Sequence, residues 1–194
     1  MLTVIDFGDP SVPEVVASLK QITDNLVVSN NELDICNSDK VVFPGSGSAK
    51  DAIRKIHLLN LFSVMRIIKK PMLGIGLGMQ IMADYTTEGN VSCLGIFPGT
   101  AIKFGEEGKE ISNKGYHRVS ICKESILFKG IKDQSEFYFN NSYYLPQGEL
   151  TTSMCKNGFE YSASMENNFC YAVQFHPEKS GEAGRMLLKN FLDI

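Results

Sequence analysis

Apolar residues in the first half of the chain follow two patterns, short continuous runs and longer stretches with helical spacing. The continuous runs are bounded by polar or turn residues and predict buried strands at 2–6, 26–28, 40–43 and 72–75. Apolar residues three and four apart predict helices at 12–22, at 49–69 with a break near Asn60, and at 78–84. Ser11 and Pro13 suit the first turn of the first helix.

This order of strands and helices predicts a central, mostly parallel sheet with helices on both faces. Loops at the carboxyl ends of parallel strands form the binding crevice of such a fold. The segment Pro44-Gly45-Ser46-Gly47 follows one predicted strand, and a glycine-rich turn at Gly76 follows another. We therefore expect these two loops to lie side by side.

Short β-like runs dominate the second half of the chain, separated by turns such as Lys156-Asn157-Gly158. They lie at 101–104, 118–122, 136–139, 150–155, 161–165 and 170–175. A closing amphipathic helix is predicted at 182–192. The chain is thus predicted to be a single α/β domain, residues 1–194, with added antiparallel strands that extend or flank the parallel sheet.

Composition narrows the classes of function. A chain of 194 residues with 43% hydrophobic and 21% charged residues is typical of a soluble globular protein, and its net charge of −3 gives nucleic-acid binding little support. No apolar run is long enough to span a membrane, and the start of the chain is interpreted as a strand and not as a signal peptide. Five cysteines without metal-type spacing indicate reduced thiols in a cytoplasmic protein, and no metal site or cofactor is expected.

Candidate chemistry lies in two glycine- and histidine-containing segments. Gly74-Ile75-Gly76-Leu77-Gly78 joins a predicted strand to a predicted helix, as in the sharp turn that presents a catalytic nucleophile. One hundred residues later, Gln174-Phe175-His176-Pro177-Glu178-Lys179-Ser180 supplies a base and a carboxylate that can orient it. The residue at the apex of the turn, Gly76, has no side chain. A dinucleotide loop is the alternative, but the glycine spacing does not fit that motif.

These segments together resemble the class I (triad) glutamine amidotransferases, and the likeness is greatest to HisH-type glutaminase subunits of imidazole glycerol phosphate synthase. The family pattern Gly-Ile-Cys-Leu-Gly-Met-Gln matches residues 74–80 except that Gly76 stands at the cysteine. Pro44-Gly45-Ser46-Gly47 matches the family's oxyanion loop, and residues 174–180 match its Gln-Phe-His-Pro-Glu-Lys-Ser without change. The likeness covers nearly the whole chain and implies the flavodoxin-like α/β fold of this class.

The resemblance implies a role for each matching position. The catalytic triad would be the nucleophile position Gly76 with His176 and Glu178, and the oxyanion hole would be formed at Gly47 and Leu77. Residues that hold glutamine would be Gly45, Gln80, Ser142 and Tyr143, and Lys179 would contact the partner. The implied partner is a HisF-like (β/α)₈-barrel synthase subunit that receives ammonia, and no cofactor is implied.

Several departures from the family pattern leave alternatives open. Asn141 stands where the family usually has His, and the stretches at 6–11 and 112–117 differ from the segments that usually face the synthase. The acceptor of ammonia is therefore either a histidine-pathway synthase or one that acts in surface-sugar amidination. With Gly76, the chain is expected to have no useful glutaminase activity. It is either a glutaminase subunit whose nucleophile has been replaced or a natural non-catalytic protein that binds or regulates a synthase.

Overall fold

The computed structural model describes residues 1–105 and 113–194, and helices and strands alternate through the first half of the chain. Its helices are α1 (Val12–Lys20), α2 (Glu32–Asn37), α3 (Ala49–Leu58), α4 (Leu61–Ile67), α5 (Leu77–Ile81) and α6 (Gly181–Leu192). Its strands are β1 (Leu2–Ile5), β2 (Leu26–Ser29), β3 (Lys40–Gly45), β4 (Met72–Gly76), β5 (Ala83–Thr86), β6 (Val91–Ser92), β7 (Phe97–Lys103), β8 (Asn113–Ile121), β9 (Ser135–Asn141), β10 (Tyr143–Tyr144), β11 (Thr151–Asn157), β12 (Phe159–Asn167) and β13 (Cys170–Val173).

The strands form a large mixed sheet and a small second sheet. The large sheet has the order β2-β1-β3-β4-β13-β12-β11-β8-β9. Its first five strands are mutually parallel, and the pairs from β13 to β9 are antiparallel. The small sheet has the order β10-β7-β5-β6. The predicted α/β class, and the prediction that antiparallel strands extend and flank a parallel sheet, are confirmed.

Both faces of the large sheet are covered, because successive side chains of its buried strands point to opposite faces. On β3, Val41 and Phe43 pack in the core that contains residues of α2 to α5. Val42, between them, packs with residues of α1 and α6 in the core on the other face. The parallel strands are therefore nearly continuous apolar runs, which is why the sequence shows them clearly.

The sequence places most early elements correctly but overextends one helix. The break near Asn60 is confirmed, since Asn60 takes a φ of 57° between α3 and α4. The helix predicted at 78–84 is wrong beyond Ile81, because the chain continues as β5. Backbone N–H groups of Ile96 and Phe97 donate to Met82 O, and Gly95 N–H donates to Ala83 O, so tertiary pairing takes the place of another helical turn.

Besides β5, the structure contains other short elements that the sequence analysis did not predict. They are α2, the two-residue strands β6 and β10, and two 3₁₀ helices at Ile126–Phe128 and Pro177–Lys179. Among the described residues, every helix is too short or too polar to cross a bilayer. Ser112, the first residue of one altered stretch, lies outside the described residues.

Gly78 sets how closely α5 approaches β3. A Cβ on this residue would lie 2.2 Å from the carbonyl oxygen of Phe43. Because that atom belongs to the backbone of a central strand, we expect Gly78→Ala to lower the free energy of unfolding by about 1–3 kcal/mol or more. The measurement is urea unfolding, with Gly148→Ala as control because a Cβ at Gly148 meets nothing within 4 Å. Equal stabilities of the two variants would contradict this account of the packing.

Candidate active site

The turn between β4 and α5 holds Gly76 in a backbone conformation that residues with side chains rarely adopt. Its φ is 60° and its ψ is −117°. Gly45, the last residue of β3, lies directly opposite it in the parallel register. Because β3 and β4 end together, the Pro44-Gly45-Ser46-Gly47 loop and the glycine-rich turn lie side by side, as the sequence predicts.

His176 and Glu178 form a buried pair beside this turn. His176 Nδ1 lies 2.8 Å from Glu178 Oε1, and the two side chains are 5% and 1% exposed. The His176 backbone N–H donates to Tyr138 O at 2.8 Å, which fixes the base against β9. Since a carboxylate can only accept, Nδ1 of a neutral imidazole carries the proton, and Nε2 is left as the acceptor.

The free nitrogen of His176 faces the position where residue 76 would carry a side chain. A Cβ built on Gly76 would lie 3.1 Å from His176 Nε2 and 2.8 Å from Cε1. The same Cβ would lie 2.7 Å from the carbonyl oxygen of Gly45. The turn, the base and the orienting carboxylate thus converge on one point.

A cavity of about 450 Å³ opens beside the turn, within the size range of small-molecule sites. Six of its lining residues are among those predicted from the sequence: Gly45, Gly47, Leu77, Gln80, Ser142 and Tyr143. The other lining residues are Ser46, Glu88, Lys103, Asn140, Asn141 and Gln174. His176, Glu178 and Lys179 are not among the lining residues. The predicted residues therefore fall into three groups: those that line the cavity, the His176–Glu178 pair beside the turn, and Lys179 on the surface.

Buried amide side chains line one wall of the cavity. Gln80 Nε2 donates to Tyr143 O and to Gln174 Oε1, each at 3.0 Å. Gln174 Nε2 donates to Gly76 O at 3.3 Å. Asn141, which stands where the family usually has His, donates from Nδ2 to Tyr143 O at 2.9 Å. These bonds link the carbonyl of the turn to Tyr143 of β10.

The carboxylate of Asp9 holds the neighbouring glycine loop. Asp9 Oδ2 accepts from Ser46 N–H at 2.9 Å, and Oδ1 accepts from Ser46 Oγ at 3.0 Å. Oδ1 also accepts from the backbone N–H and the hydroxyl of Ser11. Asp9 belongs to one of the stretches that depart from the family pattern, so this departure has a structural role at the site.

Two charged residues of the cavity were missed by the sequence analysis. Glu88 follows β5, and its Oε2 accepts from Ala49 N–H at the start of α3 at 2.7 Å. Lys103 ends β7 and pairs with Tyr143 of β10. Neither residue belongs to a motif in the chain, so only the assembled small sheet reveals them. Gln174, by contrast, lies within the seven-residue segment that supplies His176.

Lys179 lies on a surface with one exposed tyrosine, Tyr116, and one half-buried tyrosine, Tyr138. We call it the Lys179 surface, and it consists of Glu14, Tyr116, Tyr138 and Lys179. Lys179 Nζ lies 2.7 Å from Glu14 Oε2 and 6.0 Å from the centre of the Tyr138 ring. Its hydrogen bond with Glu14 raises the pKa of Lys179 above its ordinary value. The Tyr116 hydroxyl donates to Lys179 O, while 60% of Tyr116 is exposed.

Within residues 1–105 and 113–194, no three His, Cys, Asp or Glu side chains are grouped so that they could hold a metal ion. The chemistry available is that of a histidine base, a carboxylate and backbone N–H groups around a strand-to-helix turn. A strand-to-helix turn at the carboxyl ends of parallel strands, with a histidine and a carboxylate beside it, has the geometry of the nucleophile-elbow class of α/β proteins.

Comparison with known proteins narrows this class. The family model for glutamine amidotransferase class-I matches residues 3–194. The chain is 36% identical over 195 residues to the imidazole glycerol phosphate synthase subunit HisH of Bacteroides fragilis, with 100% of this chain and 99% of that protein covered. It is 33% identical over 192 residues to the HisH subunit of Haemophilus influenzae, with 99% and 96% covered. The chain belongs to the class-I glutamine amidotransferase family.

Solved structures agree on the fold. A Thermoplasma acidophilum protein, proposed to be part of a GMP synthase, superposes with a TM-score of 0.77 at 17% sequence identity, covering 99% of this chain and 92% of the other. PurLQS from Thermotoga maritima superposes with a TM-score of 0.72 at 16% identity, covering 99% and 97%. The family model and the two HisH relatives confirm the sequence-based resemblance to HisH-like class I glutamine amidotransferases.

Proposed function

We propose that this chain is the glutaminase-type subunit of a HisH-like amidotransferase and that the cavity beside Gly76 binds L-glutamine. The observation that carries the proposal is the convergence at residue 76, where a Cβ would lie 3.1 Å from His176 Nε2 while Nδ1 of the same ring is held by Glu178. A base oriented in this way serves a nucleophile on residue 76.

With a cysteine at position 76, the chemistry would run in two steps. His176 Nε2 would take the thiol proton, and the sulfur would attack the carbonyl carbon of the glutamine side-chain amide. The imidazolium, stabilised by Glu178, would return the proton to the departing nitrogen, so that ammonia leaves and a thioester remains. Water activated by His176 would then cleave the thioester to glutamate and the free thiol.

Backbone donors would stabilise the negative charge that develops on the amide oxygen. The N–H groups of Leu77 and Gly47 belong to the two loops that meet at the turn and line the cavity. In comparable sites, each such donor contributes about 2.7–4 kcal/mol to transition-state stabilisation. Leu77 also begins α5, whose first N–H groups have no partner within the helix.

The charged residues of the cavity suit the zwitterionic end of an amino acid. Glu88 offers a carboxylate to an ammonium group, and Lys103 offers an ammonium group to a carboxylate. Gly45, Ser142 and Tyr143 line the same cavity and offer backbone and hydroxyl groups to a ligand. L-Glutamine carries all three groups that this arrangement would bind: ammonium, carboxylate and carboxamide.

The chain has no nucleophile at residue 76, and we propose that it binds glutamine without hydrolysing it. Loss of the nucleophile from a catalytic triad lowers turnover by about 10⁶-fold. Isothermal titration calorimetry with L-glutamine tests the binding, and D-glutamine is the control ligand. Absence of heat with both ligands at millimolar concentration would contradict the proposed site.

A natural non-catalytic role is the second candidate, and one observation favours it. The Gly45 carbonyl oxygen and His176 Cε1 lie within 2.8 Å of the space that a Cβ on residue 76 would fill, so the site is closed around glycine. The codon at position 76 in the source genome separates the candidates. A cysteine codon would exclude the natural non-catalytic protein, and a glycine codon would exclude a replaced nucleophile.

We assign the Lys179 surface to a (β/α)₈-barrel synthase subunit, the implied partner of HisH-like proteins. Lys179 is held by Glu14 and by its contact with Tyr138, so its charge and the aromatic groups around it are presented in a fixed arrangement. The surface adjoins the turn that carries Glu178, so a partner bound there would lie next to the proposed source of ammonia.

Removal of the Lys179 side chain is expected to weaken this complex by about tenfold or more, because the amino group of a central interface lysine and its aromatic contact are lost together. The measurement is calorimetric titration with the HisF-type subunit encoded in the same genome. Lys189→Ala is the matched control, since Lys189 lies exposed on α6. Equal dissociation constants for the two variants would contradict the assignment of the surface.

A further inference from the structure

The buried amides of Gln80 and Gln174 form a chain that ends on a backbone carbonyl at each side. Gln174 Nε2 donates to Gly76 O, Gln174 Oε1 accepts from Gln80 Nε2, and Gln80 Nε2 donates to Tyr143 O. Gln80 is 4% exposed and Gln174 is 1% exposed. Both residues line the cavity.

The two terminal carbonyls determine the orientation of both amides. A carbonyl oxygen only accepts, so Gln174 must turn its NH₂ group toward Gly76 and its oxygen toward Gln80. Gln80 must then donate to that oxygen and to Tyr143 O, which uses both of its amide protons. If either amide were reversed, two oxygen atoms would be brought together without a proton between them, which is costly in a buried site.

This arrangement leaves Gln80 with only its oxygen for a ligand. Among the described residues, no group donates a hydrogen bond to Gln80 Oε1. The atom is also not fully buried, so it is open to solvent or to a ligand. It therefore faces the cavity that Gln80 lines. An oxygen held in this orientation accepts a hydrogen bond from an N–H group and repels a carboxylate.

We propose that Gln174 is a positioning residue that fixes Gln80 as a hydrogen-bond acceptor, so that the cavity selects ligands with an N–H donor at this point. The proposal rests on the proposed glutamine site and adds the residue that sets its selectivity. In L-glutamine the donor is either the side-chain carboxamide or the α-ammonium group. Both groups are N–H donors, and analogues that lack one or the other distinguish them.

Gln174→Met tests the proposal, because methionine keeps the length of the side chain and removes both of its polar atoms. Without Gln174, the Gln80 NH₂ group loses one of its two acceptors, and the other, Tyr143 O, still receives the Nδ2 donor of Asn141. Gln80 can then turn its NH₂ group toward the ligand more readily, which weakens its preference for donors. We measure dissociation constants by calorimetry for L-glutamine, for L-glutamate γ-methyl ester, which lacks the carboxamide N–H, and for glutaramate, which lacks the α-ammonium group. Gln147→Met is the matched control, since Gln147 is exposed.

We expect the wild-type chain and Gln147→Met to bind glutamine at least about tenfold more tightly than one of the two analogues. In Gln174→Met the ratio for that analogue is expected to fall to about threefold or less. If Gln174→Met loses the preference for glutamine over the γ-methyl ester, the group that donates to Gln80 is the carboxamide. If it loses the preference over glutaramate, the donor is the α-ammonium group. If both ratios in Gln174→Met equal those of the wild type, the proposal is overturned.

The proposed function fails in a different way, namely if the wild-type chain binds none of the three compounds.

A measurement on the wild-type chain makes the inference independent of how well the variant folds. Side-chain NH₂ protons of Gln80 and Gln174, observed by ¹⁵N NMR, are expected to exchange with water at least about tenfold more slowly than those of Gln147. Exchange of the Gln80 protons as fast as those of Gln147 would show that they face solvent and would overturn the proposal.

Discussion

Gly76→Cys is expected to hydrolyse L-glutamine about 10⁶-fold faster than the chain as it stands, because it supplies the nucleophile that the site lacks. The new sulfur would be attached to a Cβ that lies 3.1 Å from His176 Nε2, within reach of the base. A free thiol has a pKa of about 8.5, so this base is needed to form a thiolate at neutral pH. Glutamate release, measured with the barrel subunit present, tests the prediction.

The same substitution is expected to destabilise the protein. A residue with a side chain at a φ of 60° and a ψ of −117° costs about 1–3 kcal/mol, and the Gly45 carbonyl oxygen must move away from a Cβ that would lie 2.7 Å from it. Gly76→Cys should therefore unfold at a lower urea concentration than the original chain while its turnover increases.

Gly76→Ala separates these two effects, since it adds the same Cβ without the sulfur. It should show the loss of stability and no hydrolysis. If Gly76→Cys is folded and bound to its partner and still releases no glutamate, the assignment of the turn as a nucleophile position is wrong.

Glu178→Gln, made together with Gly76→Cys, is expected to lower turnover by about 10³–10⁴-fold. The carboxylate of Glu178 accepts the Nδ1 proton of His176 at 2.8 Å and leaves Nε2 as the base. An amide at this position can instead donate to Nδ1, which moves the proton to Nε2 and removes the acceptor that faces residue 76. Steady-state kinetics of glutamate release are the measurement.

Glu182→Gln in the same background is the control, because Glu182 pairs with Arg185 on the exposed side of α6. Its turnover should match that of Gly76→Cys alone. Unfolding midpoints distinguish a catalytic effect from a structural one. Glu178 Oε2 is buried without a hydrogen-bond partner in the described part of the chain, so neutralising this side chain should cost little stability. Turnover unchanged by Glu178→Gln would show that Glu178 does not orient the base.

The parallel half of the fold was predictable because three of its strands, β1, β3 and β4, are buried on both faces. Runs such as those of β1, β3 and β4 are therefore almost wholly apolar, and strong turn signals separate them. The error at residues 82–84 arose because pairing with another part of the chain, and not the local pattern, decides the structure there. The local sequence there continues a helical pattern, but bonds to residues 95–97, which are distant in sequence, hold it as strand β5.

Prediction of the site also succeeded where the signal is local and failed where it depends on pairing between distant segments. Residues within contiguous motifs, such as Gly45, Leu77 and His176, were found because each motif carries its own local signal. Glu88 and Lys103 enter the cavity only through pairing in the small sheet, which has no such signal. Gln174 belonged to a motif, but its part in the site depends on the orientation of two buried amides, which a sequence does not display.

The walls of the cavity come from two different sheets. Gly45, Leu77 and Gln174 lie at the ends of strands of the large sheet, whereas Lys103 and Tyr143 belong to the small one. An amino acid that fills the cavity would therefore join the two sheets, and its binding energy would oppose their separation.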